Sequence, residues 1–200
     1  MRKVITSFQK FSLVLTIFVV GLVLFNSSVE ALEVPSKPSS GNILDNAEIL
    51  SSEQEAQLNE QVRQIQLAGS SEIGVLTVKD AEGEDPAQFS VEIGRSWGIG
   101  SEENRNGILI FVSLANPKKI YIAVGTGLEG VLTDAQAGSI SRDEIAPKFQ
   151  EDQYFEGISA GITAVDQATK GQYTAKSSSK SGFGNILDIG FFALFLGIGL

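Results

Sequence analysis

Cysteine and histidine are both absent from the 200 residues. Without cysteine there is no disulfide, no thiolate zinc site and no cysteine nucleophile. Without histidine there is no Ser-His-Asp triad, no imidazole general base and no imidazole-ligated zinc. Chemistry by this chain has to come from carboxylates, hydroxyls, lysine, arginine, tyrosine, backbone amides or a bound metal. Positive charge is also scarce, with 15 basic against 24 acidic residues and a net charge of −9. Phosphate neutralisation needs clustered lysine and arginine, so this balance argues against a nucleic-acid partner.

Long apolar runs occur only at the two ends. Arg2, Lys3 and Lys10 precede an apolar stretch at residues 11–25, and Val29-Glu30-Ala31 places small residues at a plausible cleavage point. Residues 1–31 therefore read as a signal peptide or N-terminal membrane segment. Residues 32–41, with Pro35 and Pro38, read as a linker. A second linker rich in serine, glycine and lysine spans 174–185, and 186–200 is apolar apart from Asp188. That end is shorter than the ~20 residues a full span needs and reads as a membrane segment, possibly cut short.

Between the linkers the patterning alternates between helix and strand. Ser51 and Ser52 with Gln54 and Glu55 offer two overlapping capping boxes, and Leu58, Val62 and Ile65 mark the buried stripe of the helix that follows. Ile73 to Val78 reads as the first strand of a sheet. Pro86 is well placed to open a helix that carries Phe89, Ile93 and Trp97 on one face. Ile108 to Leu114 is a nearly continuous apolar run, better read as a strand buried on both faces than as a helix. Strand, helix, strand is a βαβ crossover, expected to be right-handed and to set two parallel strands together. Asn116-Pro117 turns the chain into a further, antiparallel strand at Ile120 to Val124. A helix from Thr133, ended by Pro147, and another carrying Ile158, Ile162 and Val165 complete the pattern.

Residues 106–134 are the stretch the rest is arranged around: a central strand, a hairpin, a glycine loop and a capping box at Thr133-Asp134-Ala135-Gln136. Gly125, Gly127 and Gly130 fall within six residues. Such a loop between a strand end and a helix start suits a ligand site in an open α/β sheet, and equally a tight connection that only glycine permits.

Several of these segments, taken in order, resemble one family. They are Ile43-Leu44-Asp45, Ile73-Gly74-Val75-Leu76-Thr77-Val78, Trp97-Gly98-Ile99-Gly100, Asn106-Gly107-Ile108-Leu109-Ile110, Gly125-Thr126-Gly127-Leu128-Glu129-Gly130 and Ile145-Ala146-Pro147-Lys148-Phe149. Together they look like the TPM domain, over residues 42–173. That family includes thylakoid-lumen proteins linked to photosystem II repair and many exported bacterial proteins. The resemblance implies an α/β fold, a three-layer αβα sandwich with a mixed sheet, membrane-tethered by its flanks. It also implies possible acid phosphatase activity and divalent-cation binding. Thr126, between the glycines, and Asn104-Arg105-Asn106, before the central strand, depart from the family's usual aromatic and Asp-Asn.

On that resemblance Asp45, Glu129 and Asp134 are the candidate carboxylate ligands for Ca²⁺ or Mg²⁺, with Asn106 as an amide ligand. Asp45 can equally be a turn residue, Asp134 a helix N-terminal charge and Glu129 a solvated loop carboxylate. Two functions are expected. The first is an exported, membrane-anchored domain that binds a protein partner and assists assembly, repair or maintenance of a membrane complex, photosystem II in a photosynthetic cell, with cation tuning. The alternative is a metal-dependent acid phosphatase. The missing acid–base residues favour the binding module.

Overall fold

A computed structural model describes residues 33–69, 71–81 and 83–176. The expected signal at 1–31 and the apolar segment at 186–200 lie outside them. No helix among the described residues is long and apolar enough to cross a membrane.

Four strands form one mixed sheet in the order β1 (Ile43–Asp45), β2 (Glu72–Val78), β3 (Gly107–Ser113) and β4 (Lys119–Val124). β1, β2 and β3 are parallel, and β4 is antiparallel to β3 with Ile108 opposite Val124 and Ser113 opposite Lys119. β2 and β3 are apolar on both faces because both faces are covered. The sheet starts one strand earlier than the sequence suggests: β1 is three residues long, too short to show alternation.

Helix α1 (Ser52–Leu67) joins β1 to β2, and α2 (Pro86–Ser96) joins β2 to β3. The first of the two capping boxes is the one used. Ser51 Oγ accepts from Gln54 N–H at 3.2 Å and Gln54 Oε1 accepts from Ser51 N–H at 2.9 Å, an arrangement of about 1 kcal/mol. At α2, Asp85 caps the first turn by accepting from Ala87 and Gln88 N–H, ahead of Pro86.

Leu58, Val62 and Ile65 of α1 pack with Ile43, Val75, Ile110 and Ile122, which lie in register across one face of the sheet. Helix α2 covers the opposite face: Phe89 meets Phe111 edge-to-face at 5.6 Å, and a Cβ on Gly74 would collide with Ile99. Both connections step across the sheet in the same direction, yet their helices lie on opposite faces. They therefore have opposite hands, and one of them departs from the right-handed rule expected of βαβ units.

After β4 the chain forms α3 (Asp134–Ile140), a π-helical turn at Ser141–Ile145, α4 (Ala146–Gln150) and α5 (Tyr154–Thr169), all on the α1 face. Pro147 does not end the helical region. The wide turn before it lets the chain stay helical to Gln150, and Pro147 sits in the first turn of α4, where a missing N–H costs nothing. Residues 34–41, expected to be a linker, carry no regular structure but are tied down. Trp97 Nε1–H donates to Pro35 O at 2.7 Å, and Lys37 pairs with Glu72 at 3.3 Å.

Lys118 closes the far end of the hairpin onto α4. Its ammonium donates to Phe149 O at 2.8 Å, Tyr154 Oη at 3.2 Å and Asp152 Oδ1 at 3.3 Å. The Tyr154 hydroxyl donates to the same Asp152 oxygen at 2.7 Å. That hydrogen bond first, and Lys118 second, lower the Asp152 carboxyl below the usual aspartate range. A depressed folded-state pKa stabilises above the unfolded value of about 3.9, and the gain is lost as pH falls through the lower folded value. Asp152→Asn keeps the acceptor and tolerates the left-handed backbone at φ 55°. It should lower the melting temperature at pH 7, with the difference shrinking as pH falls below the unfolded aspartate value of about 3.9. A difference that stayed constant as pH fell from 7 through the acid range would mean that charge is not what Asp152 contributes.

Candidate functional site

Because β4 runs back along β3, the glycine loop that leaves β4 returns to the edge where β3 begins. Gly125 N–H donates to Gly107 O at 2.8 Å and Gly127 N–H to Arg105 O at 3.1 Å. The approach is closer than any side chain allows. A Cβ on Gly125 would stand 2.3 Å from Arg105 O, and one on Gly127 would stand 1.8 Å from Asn104 O. Gly130 has open space around its Cβ position, so the third glycine of the loop serves no such contact. The carbonyl that receives Gly127 belongs to Arg105, a non-glycine residue in the left-handed region at φ 47°. Strained backbone of this kind marks places where surrounding structure dictates the conformation. Buried Leu128 and Leu132 anchor the far side of the loop.

The same edge is laced from the other direction. Asn106 O accepts from Glu72 N–H at 3.1 Å, and Asn106 Oδ1 accepts from Ser101 N–H at 3.1 Å. The Glu72 carboxylate accepts from Gly100 N–H at 3.0 Å, Lys37 at 3.3 Å and Asn42 Nδ2 at 3.4 Å. Glu72 thus ties the N-terminal arm and the α2–β3 loop to the start of β2. Its place at a strand start carries no sequence signal of that role.

The four expected metal ligands do not meet. Asp45 is paired with Thr77, five residues along β2 from Glu72, which lies opposite Gly107. Asn106 lies one residue further, which separates it from Asp45 by about 20 Å of strand, far beyond the ~2.5 Å reach of a Ca²⁺ ligand. Asp45 is half-buried and engaged: its carboxylate accepts from Leu50 N–H at 2.8 Å and from the Thr77 hydroxyl. Glu129 and Asp134 are exposed near the glycine loop, and the Asn106 oxygen is already taken by Ser101. No three carboxylates gather into a metal-binding group among the described residues. Asp45 and Asn106 therefore do not share one cation.

What the edge does enclose is a groove of about 460 Å³ between α2 and the β3–β4 hairpin. Leu109 and Ala123, opposite each other in the sheet, form its floor. Val91, Gly94 and Arg95 form the helical wall, and Ile99, Arg105, Gly125 and Thr126 close the loop side. Val91 is one of the few large apolar side chains left exposed, at 39%. Gly94 has nothing within 4 Å of its Cβ position, so its missing side chain is part of the hollow. Arg95 and Arg105 are not within salt-bridge distance of any carboxylate among the described residues. Glu102 is the one carboxylate on the lining. A cavity of this size with apolar walls and few charged groups has the character of a ligand pocket. Sequence reasoning passed over Gly94, Arg95 and Glu72; a glycine inside a helix was the available signal for the first.

Fold and groove together define a small α/β domain with a groove at the edge of a mixed sheet. The TPM domain family model matches residues 43–168, and the chain belongs to that family. The solution structure of the N-terminal domain of a protein from P. gingivalis is 31% identical, covering 70% of this chain and 94% of that one at a TM-score of 0.61. The BA42 protein from the psychrophilic bacterium Bizionia argentinensis shares the fold at 21% identity, covering 65% of this chain and 88% of that one, with a TM-score of 0.54. The N-terminal domain of the cg2496 protein from Corynebacterium glutamicum shares it at 16% identity, covering 76% and 91%, with a TM-score of 0.50. No curated protein matches.

The close approach of the loop predicts unequal roles for its glycines. Gly127→Ala should lower the unfolding free energy by about 2–3 kcal/mol, read as a lower urea midpoint, while Gly130→Ala stays within about 0.5 kcal/mol of the parent. Equal effects would mean that backbone contact is not why glycine stands at 127.

Proposed function

We propose that this chain is a binding module, held at a membrane outside the cytoplasm by its apolar flanks, whose groove beside α2 engages a protein partner within a membrane complex. One observation carries the reading. A single groove is lined by an exposed apolar residue, Val91, and by two arginines that pair with no carboxylate among the described residues. Exposed apolar surface beside unpaired arginine is the composition of a recognition patch, where aromatic and arginine anchors dominate binding energy. The acidic balance of the rest of the chain supports a protein rather than a nucleic-acid partner. In a photosynthetic cell, assembly or repair of photosystem II is the role that the family resemblance supports.

The test places a photo-crosslinking residue at position 91, on the groove, and another at Leu67, exposed at 68% at the end of α1 on the other face. In native membranes the probe at 91 should trap a discrete membrane-complex subunit, identified by mass spectrometry, that the probe at 67 does not trap. The purified protein is titrated with Ca²⁺ and Mg²⁺ by calorimetry and assayed with p-nitrophenyl phosphate alongside. Metal-dependent turnover that disappears in Glu129→Ala or Asp134→Ala would replace the binding module with a metal-dependent phosphatase.

A further inference from the structure

The chemistry of the groove narrows what it accepts, and we infer that it takes the free C-terminal end of a partner chain whose last residue is aliphatic or aromatic. The terminal side chain packs against Val91, Ile99 and Leu109, and the α-carboxylate pairs with Arg95 and Arg105. This inference rests on the groove being the binding surface.

Three observations lead there. The first is charge. Two arginines that pair with no carboxylate among the described residues line one cavity of a chain whose net charge is −9, and Glu102 is the one carboxylate among the described lining residues. Arg95 stands in the last turn of α2, where a cation favours the helix dipole. The dipole explains a charge at that position, but not a second unpaired arginine on the lining of the same cavity. Arginine forks match carboxylate oxygens, so the complementary ligand is anionic.

The second is spacing. Val91 and Arg95 are four residues apart on α2, neighbours on one helical face and about 6 Å apart along the axis. The apolar group and the anion of the ligand must then be separated by about the same distance. A chain end meets that condition within one residue, since its carboxylate and its side chain leave the same carbon.

The third is volume. About 460 Å³ holds two or three side chains rather than a helix or a long strand. Gly94 contributes part of that space, and it stands at an ordinary helical φ with room for a side chain, so filling it obstructs the groove without straining the fold.

The experiment measures fluorescence anisotropy of an N-terminally labelled glycyl-leucyl-phenylalanine peptide, as free acid and as C-terminal amide, against the full-length protein in lipid nanodiscs. The free acid should bind saturably, about tenfold more tightly than the amide, and more weakly as salt rises. Arg95→Gln and Arg105→Asn should each remove most of that preference; asparagine is chosen because it tolerates the left-handed backbone at 105. Gly94→Leu should abolish binding of both peptides while the melting temperature stays level or rises. If the amide binds as tightly as the acid and Gly94→Leu still blocks both, the groove stands and the carboxylate assignment falls. Competition by 4-phenylbutyrate at or below the peptide's own concentration range would overturn the peptide end in favour of a small amphipathic acid. No saturable binding of either peptide overturns the inference, and the crosslink at 91 then tells whether the groove reading falls with it.

Discussion

Two hydrogen bonds, from Gly125 N–H to Gly107 O and from Gly127 N–H to Arg105 O, tie the glycine loop to the start of β3. They require backbone to approach backbone more closely than a Cβ permits, which fixes glycine at 125 and 127 before any ligand is considered. The same contact sets the left-handed turn at Arg105 and so directs both its carbonyl and the chain that enters β3. On the other side of that turn, Glu72 binds the loop 100–106 back to β2 by accepting from Gly100 N–H and donating its N–H to Asn106 O, while Asn106 Oδ1 accepts from Ser101 N–H within the loop. One rim of the groove is therefore main chain held by main chain. Such a rim is preorganised: little conformational freedom remains to be lost when a ligand arrives.

The groove itself follows from a mismatch of coverage. Four strands about 4.8 Å apart span some 14 Å between the outer strand axes, while a helix is about 10 Å across. On one face α1, α3, α4 and α5 overlap that width. On the other, among the described residues, α2 alone is laid against the sheet, leaning on β3 and β4 with Phe89 against Phe111. On that face the sheet is only half covered at β4, where Tyr121 and Ala123 stay partly exposed. The opposite hands of the two crossovers create this asymmetry, because two crossovers of the same hand would have put α1 and α2 on one face. Gly94 on the helix and Ala123 on the sheet then keep the groove hollow where larger side chains would have filled it.

Much of this scaffold was legible in the sequence, for identifiable physical reasons. Burial on both faces writes β2 and β3 as apolar runs, and burial on one face writes α1 as the stripe Leu58, Val62, Ile65. The capping box at Thr133 locates one helix start to the residue, and the overlapping boxes at Ser51 and Ser52 locate another to within one. What escaped depended on through-space relations. β1 is recognisable only by its pairing with Val75 to Thr77. Pro147 looks like a terminator because sequence cannot show that a π turn realigns the chain before it. The proposed ligand set joined carboxylates that share family motifs, but the topology sends Asp45 to the opposite end of the strands from Asn106. Arg95 and Arg105 lie ten positions apart on a helix and a loop, and only the fold turns both toward one cavity.

The polar groups that line the groove also indicate what kind of work it can do. Arginine stays charged at every physiological pH, so Arg95 and Arg105 can hold an anion but cannot take or give a proton. Ser90, Ser101 and Thr126 are hydroxyls, which need a neighbouring base to become nucleophiles, and histidine is absent from the whole chain. Glu102 is exposed on a loop. Fixed positive charge, apolar walls and a rigid rim are the features on which the proposed recognition of an anionic chain end draws.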